Sequence, residues 1–131
     1  MIALHASGNW AYVVNSGNAS KDISKYSVNA TTGALTSLGA TESTTNTPSG
    51  VAIFGDSLFT SISDANEIRF FAITATTGAL TPSTTAAPSN PSAGVIVRGT
   101  TSSYSIYSPI SASNQIARST NATWVVLTTT S

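Results

Sequence analysis

No cysteine occurs among the 131 residues, which removes disulfides, thiolate metal sites and a cysteine nucleophile from consideration. Charge is nearly as scarce. Five basic and five acidic side chains make up 8% of the chain and cancel, against roughly a quarter in ordinary soluble domains. Lys21, Lys25, Arg69, Arg98 and Arg118 lie scattered, whereas nucleic acid demands clustered cations for its phosphates. An anionic membrane surface asks for the same kind of cluster, so both partners are disfavoured. No apolar run reaches the ~20 residues of a transmembrane helix, and membrane insertion is not expected. Nor does a basic segment followed by an apolar stretch open the chain; the leader of an exported protein would have been removed or lie outside it. Helical periodicity is missing from every window, and the fold class expected is all-β.

Hydroxyls fill the space that charges leave. Serine and threonine supply about a third of the residues, so the surface is wetted by hydroxyls, amides and backbone rather than by ions. That composition suits an extracellular or cell-envelope setting better than a crowded cytosol.

The chain repeats itself. Ala30-Thr-Thr-Gly33-Ala34-Leu35-Thr36 recurs letter for letter as Ala75-Thr-Thr-Gly78-Ala79-Leu80-Thr81, at the spacing of about 45 residues expected of propeller blades. Pro48-Ser49-Gly50-Val51-Ala52-Ile53 answers to Pro91-Ser92-Ala93-Gly94-Val95-Ile96-Val97, and Ile2-Ala3-Leu4-His5 is the same strand of the first unit. A turn at Gly8, Gly55 or Gly99 follows, then an aromatic-bearing strand: Trp10 to Asn15, Leu58 to Ile62, Tyr104 to Tyr107. Ile23, Ile68 and Ile116 anchor the third strands, which mix β-branched and aromatic residues as strands packed between sheets do. Asn29 to Gly33 reads as a hairpin loop, because Asn and Gly tolerate positive φ. Fourth strands are expected from Ala34, Ala79 and Thr123. Three four-stranded antiparallel blades result, at about 1–43, 48–87 and 91–131. The third is degenerate, with Asn121-Ala122-Thr123 in place of the Thr-Gly-Ala-Leu turn.

Tyr12-Val13-Val14-Asn15-Ser16-Gly17, followed by Tyr26-Ser27-Val28-Asn29 and the turn up to Thr36, resembles the repeats of YVTN-type and lactonase-like β-propellers. The resemblance implies blades with a Tyr-Val-x-Asn strand and a Thr-Gly-x-Leu turn, in rings of about seven. It implies a family that includes lactone hydrolases, muconate-cyclising enzymes and surface proteins, with enzymatic sites in a central cleft fed by several blades. No catalytic residue of that family maps onto a position here.

Propellers close with typically 4–8 blades. An open wedge of three exposes two apolar sheet faces larger than monomers tolerate, so the chain is expected to associate with itself. A two-copy, six-bladed ring is favoured, since two-fold homodimers are the commonest oligomers; a larger ring, a filament or completion by a missing part are the other solutions.

Candidate chemistry is sparse. His5, the one histidine, is a candidate general base, set against the plainer reading of a strand-end residue with no carboxylate placed by sequence to orient it. Arg98 could reach an anionic ligand from a strand end, and Glu42 is a further charged candidate there. Asp64, Asn66 and Glu67 concentrate oxygens in one loop that could hold a hard cation, although the spacing and glycine of a calcium loop are lacking. Glu67 and Arg69 lie two apart on one strand face and could pair. Tyr12, Tyr26, Phe59, Phe70, Phe71 and Tyr104 could stack on a sugar, but aromatics at repeat-equivalent positions ordinarily pack between blades. No Gly-x-Ser-x-Gly elbow supports a serine hydrolase. Asn18, Asn29 and Asn121 head acceptor patterns for N-glycosylation, which matter only in a eukaryotic secreted protein.

No cofactor is expected. The leading expectation is a non-catalytic, self-assembling propeller module with a structural or ligand-binding role at the cell surface or outside the cell. The alternatives are a lactonase-like hydrolase whose site forms in the assembled ring, and a fibre or appendage subunit.

Overall fold

The computed structural model describes residues 1–17, 20–86, 94–100, 103–110, 115–120 and 123–127. Among these described residues twelve strands form three antiparallel sheets of four, each a meander. The first holds β1 (Ile2–Leu4), β2 (Trp10–Gly17), β3 (Ser20–Val28) and β4 (Leu35–Ser43); the second holds β5 (Pro48–Phe54), β6 (Ser57–Ile62), β7 (Glu67–Ile73) and β8 (Leu80–Ala86). The third holds β9 (Ile96–Thr100), β10 (Ser103–Ile110), β11 (Gln115–Thr120) and β12 (Thr123–Leu127). Sequence neighbours pair throughout, as short turns between antiparallel strands dictate. Among the described residues there is no helix, hence none long and apolar enough to cross a membrane.

Cross-strand register decides which side chains share a face. Tyr12 lies opposite Lys25 and Val14 opposite Ile23, so these four, with Trp10, project from one side of the first sheet. That side meets Val51, Leu58, Phe71, Ile73 and Leu80 of the second sheet in one core cluster. The opposite side of the second sheet carries Phe59 and Ile68, which pack on Val95 and Ile106 at the third. Each sheet thus has a forward face, turned in the first two toward the next sheet, and a rear face, turned in the last two toward the one before. Side chains such as Leu58 (0% exposed) and Phe59 (1%) contribute about 1.5–3 kcal/mol each by leaving water.

Rings interlock across the second seam. Phe59 meets Phe70 edge-on at 5.0 Å and Tyr104 at 5.7 Å between centroids. Backbone comes close there too. A Cβ on Gly50 would stand 2.7 Å from Ser61 Oγ and 2.9 Å from Gly94 Cα, so β5 admits no side chain at that point.

Two details of the repeat differ from the sequence reading. Gly99 is not in a turn; it sits inside β9 opposite Tyr104, because the third blade's inner strand continues to Thr100. Anchoring the blades on their isoleucines also moves the third aromatic. Val14 faces Ile23, Ser61 faces Ile68 and Pro109 faces Ile116, which makes Tyr12, Phe59 and Tyr107 register equivalents. Tyr104 belongs to the rear face and packs against Phe59. The fourth strands start at Leu35, Leu80 and Thr123, within a residue of expectation.

Candidate functional site

His5 follows the last residue of β1, an edge strand of the first sheet. Its amide donates to the Trp10 carbonyl at 2.9 Å, and its own carbonyl accepts from Gly8 N–H, so a tight turn folds Ser7 back over the ring. Ser7 N–H lies 3.3 Å and Ser7 Oγ 2.8 Å from Nδ1. A backbone donor on Nδ1 makes that nitrogen an acceptor, which leaves the proton on Nε2. Nε2 donates across the seam to Asp56 Oδ1 of the second sheet at 3.0 Å. Hydroxyl, imidazole and carboxylate therefore stand in one chain, with His5 6% exposed and the Asp56 side chain 66% exposed. Such a chain can draw a proton from the Ser7 hydroxyl toward Nδ1 while the carboxylate steadies the imidazolium. Its other duty is structural, since it clamps the turn of one sheet to the turn of the next.

Asp56, the orienting carboxylate absent from the sequence reading, is 51 residues beyond His5, roughly one repeat away. Neighbouring blades place such positions side by side, and the period was the available signal. Register adds that His5, Phe54 and Arg98 occupy one equivalent position: His5 stands opposite Trp10, Phe54 opposite Ser57 and Arg98 opposite Ser105. His5 and Arg98 are not brought together. Arg98 lies exposed on the forward face of the third sheet, while His5 is buried in the first seam.

The three oxygen donors proposed for a cation are engaged separately. Asp64 accepts from Thr47 N–H at 2.8 Å and Thr47 Oγ1 at 2.8 Å, and pairs with Lys21 Nζ at 3.3 Å. Desolvation pushes its carboxyl up, but the Thr47 and Lys21 donors outweigh it and hold the group below its ordinary value. Asn66 takes a positive φ of 54°, the turn role that asparagine tolerates. Glu67 pairs with Arg69, whose other arm donates to the buried Thr44 carbonyl. Among the described residues no three His, Cys, Asp or Glu side chains converge as a metal site.

Glu42 borders a cavity of about 190 Å³ between the first two sheets, lined also by Ser43, Arg69, Phe70, Phe71, Pro82 and Ser83. The Arg69 fork on its wall is already committed to Glu67 and Thr44. The aromatics proposed as a stacking platform are largely interior: Tyr12, Phe59 and Phe71 are 0%, 1% and 3% exposed. Burial pushes the Tyr12 phenol up to about 12. Of the glycosylation patterns, Asn29 has its side-chain oxygen bound by the amides of Thr31 and Thr32 at 2.9 Å each; Asn18 and Asn121 lie outside the described residues.

A family model described as lactonase, 7-bladed beta-propeller, matches residues 1–97. A crystallographically solved protein from Lactobacillus plantarum is similar in fold, with a TM-score of 0.54 at 19% identity over 98% of this chain. The chain spans 44% of that protein's length. No curated protein matches significantly.

Proposed function

Since this chain belongs to the lactonase, seven-bladed β-propeller family, we propose that it acts as a non-catalytic, self-associating blade module with a structural or ligand-binding role at the cell surface or outside the cell. One observation carries the reading. Among the described residues, the large apolar side chains left exposed are Met1, Ile2, Leu4, Leu35, Leu38, Ile96 and Ile116. All belong to the first or third sheet, and none to the second, which is covered on both faces. Such a distribution supports outer faces that take a partner, since clustered apolar exposure is a feature of interaction surfaces. The low charge and abundant hydroxyls support a role outside the cytosol.

A hydrolase acting on lactones is the second reading, and the Ser7–His5–Asp56 chain is what favours it. Gel filtration followed by lactone hydrolysis measured on each fraction separates the two. The first reading predicts elution as more than one chain, with no turnover of five- or six-membered lactones above the buffer rate. Turnover in the associated fraction, abolished by His5→Ala, would replace it with the second.

A further inference from the structure

Inside the chain, three donors on the forward face of the first sheet grip one loop of the second. Trp10 Nε1 donates to the Ala75 carbonyl at 3.0 Å, Tyr12 Oη to Gly78 at 2.7 Å and Lys25 Nζ to Thr77 at 2.8 Å. That loop lies within one of the two copies of the heptapeptide. Its twin in the first sheet has the same build. Gly33 and Gly78 adopt φ of 70° and 65°, and each amide closes on the residue four back, Asn29 or Thr74. The twin loop is exposed along its whole length, and a Cβ on Gly33 would meet nothing within 4 Å.

Register shows where a matching set of donors stands. Lys25 is opposite Tyr12, Phe70 opposite Phe59 and Arg118 opposite Tyr107. The second sheet, with two phenylalanines and no donor in this pair, faces a third blade whose sequence lacks the heptapeptide. The third sheet restores a phenol and a cation on its forward face. The anchoring isoleucine beside them is fully buried as Ile23 and Ile68, yet Ile116 is 41% exposed. Donor pairs thus alternate with the loop they fit, and the third pair has one loop left to fit.

We propose that the forward face of the third blade docks on the rear face of the first blade of a second copy of this chain. In that contact Tyr107 donates to the Gly33 carbonyl and Arg118 to the Thr32 carbonyl, as Tyr12 and Lys25 do at Gly78 and Thr77. Ile96 and Ile116 cover Ile2 and Leu4 of the copy beneath. The partner is a second copy because this chain carries both halves of the contact, the donor pair on its third sheet and the exposed loop on its first. The inference rests on the self-association reading above and names its contact.

A cysteine-free chain makes the test clean. Chains carrying Thr32→Cys and chains carrying Arg118→Cys are mixed and treated with a short bismaleimide, with Lys25→Cys/Thr77→Cys in one chain as the internal reference. The mixture is expected to yield a two-chain product, while the reference closes within one chain. Tyr107→Phe, at a half-buried position where folding can be confirmed by circular dichroism, is expected to weaken association about fivefold to tenfold per contact. If the unmodified chain associates but the mixture does not cross-link and Tyr107→Phe leaves association unchanged, the docking geometry is wrong and self-association stands. If the unmodified chain stays single at every concentration, the self-association reading falls with it.

Discussion

Gly78→Ala and Gly33→Ala make the same change in the same heptapeptide at nearly the same φ, and differ in what lies overhead. A Cβ at Gly78 would stand 2.6, 2.9 and 3.0 Å from three atoms of the Trp10 ring, which is itself held by its bond to the Ala75 carbonyl. Alanine in the left-handed region costs about 1–2 kcal/mol, offset in part by a less disordered unfolded chain. Both variants share that balance. Gly78→Ala adds overpacking of about 1–3 kcal/mol and disturbs the neighbouring Tyr12–Gly78 bond. The difference between the two losses of stability, measured by urea unfolding followed by circular dichroism, is therefore expected to be about 1–3 kcal/mol. Association should not erase it, because Ser105 occupies the register position of Trp10 on the third sheet and is small. Equal losses would show that the ring does not sit on that loop, and the packing of the first seam would have to be redrawn.

Phe59→Ala should lose about 3–5 kcal/mol and release the third sheet first, seen as faster amide exchange in β9 and β10 than in β2 and β3; uniform exchange would count against a separate second seam. Stability should fall as pH rises from about 10 toward about 12. The Tyr12 phenol is raised in the folded state, so ionisation favours the unfolded chain there; Tyr12→Phe should remove that alkaline dependence, and a persistent fall would assign it elsewhere. Arg69→Met strips a donor from both Glu67 and the buried Thr44 carbonyl, and a loss of about 2 kcal/mol is expected in thermal unfolding, with Glu67→Gln milder.

Blade architecture was open to reading because repetition is a sequence property: the twin heptapeptides and the isoleucine anchors return at nearly the same interval and pin the register. Gly99 escaped because it stands five residues before Tyr104, close to the four that separate Gly8 from Tyr12 and Gly55 from Phe59. Tyr104 and Tyr107 were exchanged for a similar reason; both are aromatic and three apart, so their opposite faces appear only once Pro109 is seen opposite Ile116. The His5 site was half visible. Its histidine stood out, but its carboxylate sits on the next blade, and pairing Asp56 with His5 requires knowing that like ends of adjacent sheets touch. Asp64 and Glu67 looked like one ligand group because they are close in sequence, whereas the turn at Asn66 sends their carboxylates to Thr47 and Arg69.

Sedimentation equilibrium over a wide range of concentration weighs the particle itself. The proposed docking of outer blade faces predicts, for a chain of 13.3 kDa, a species of two chains that dissociates on dilution. A mass of one chain throughout, with a single cooperative unfolding transition, would contradict the claim that those faces need a partner.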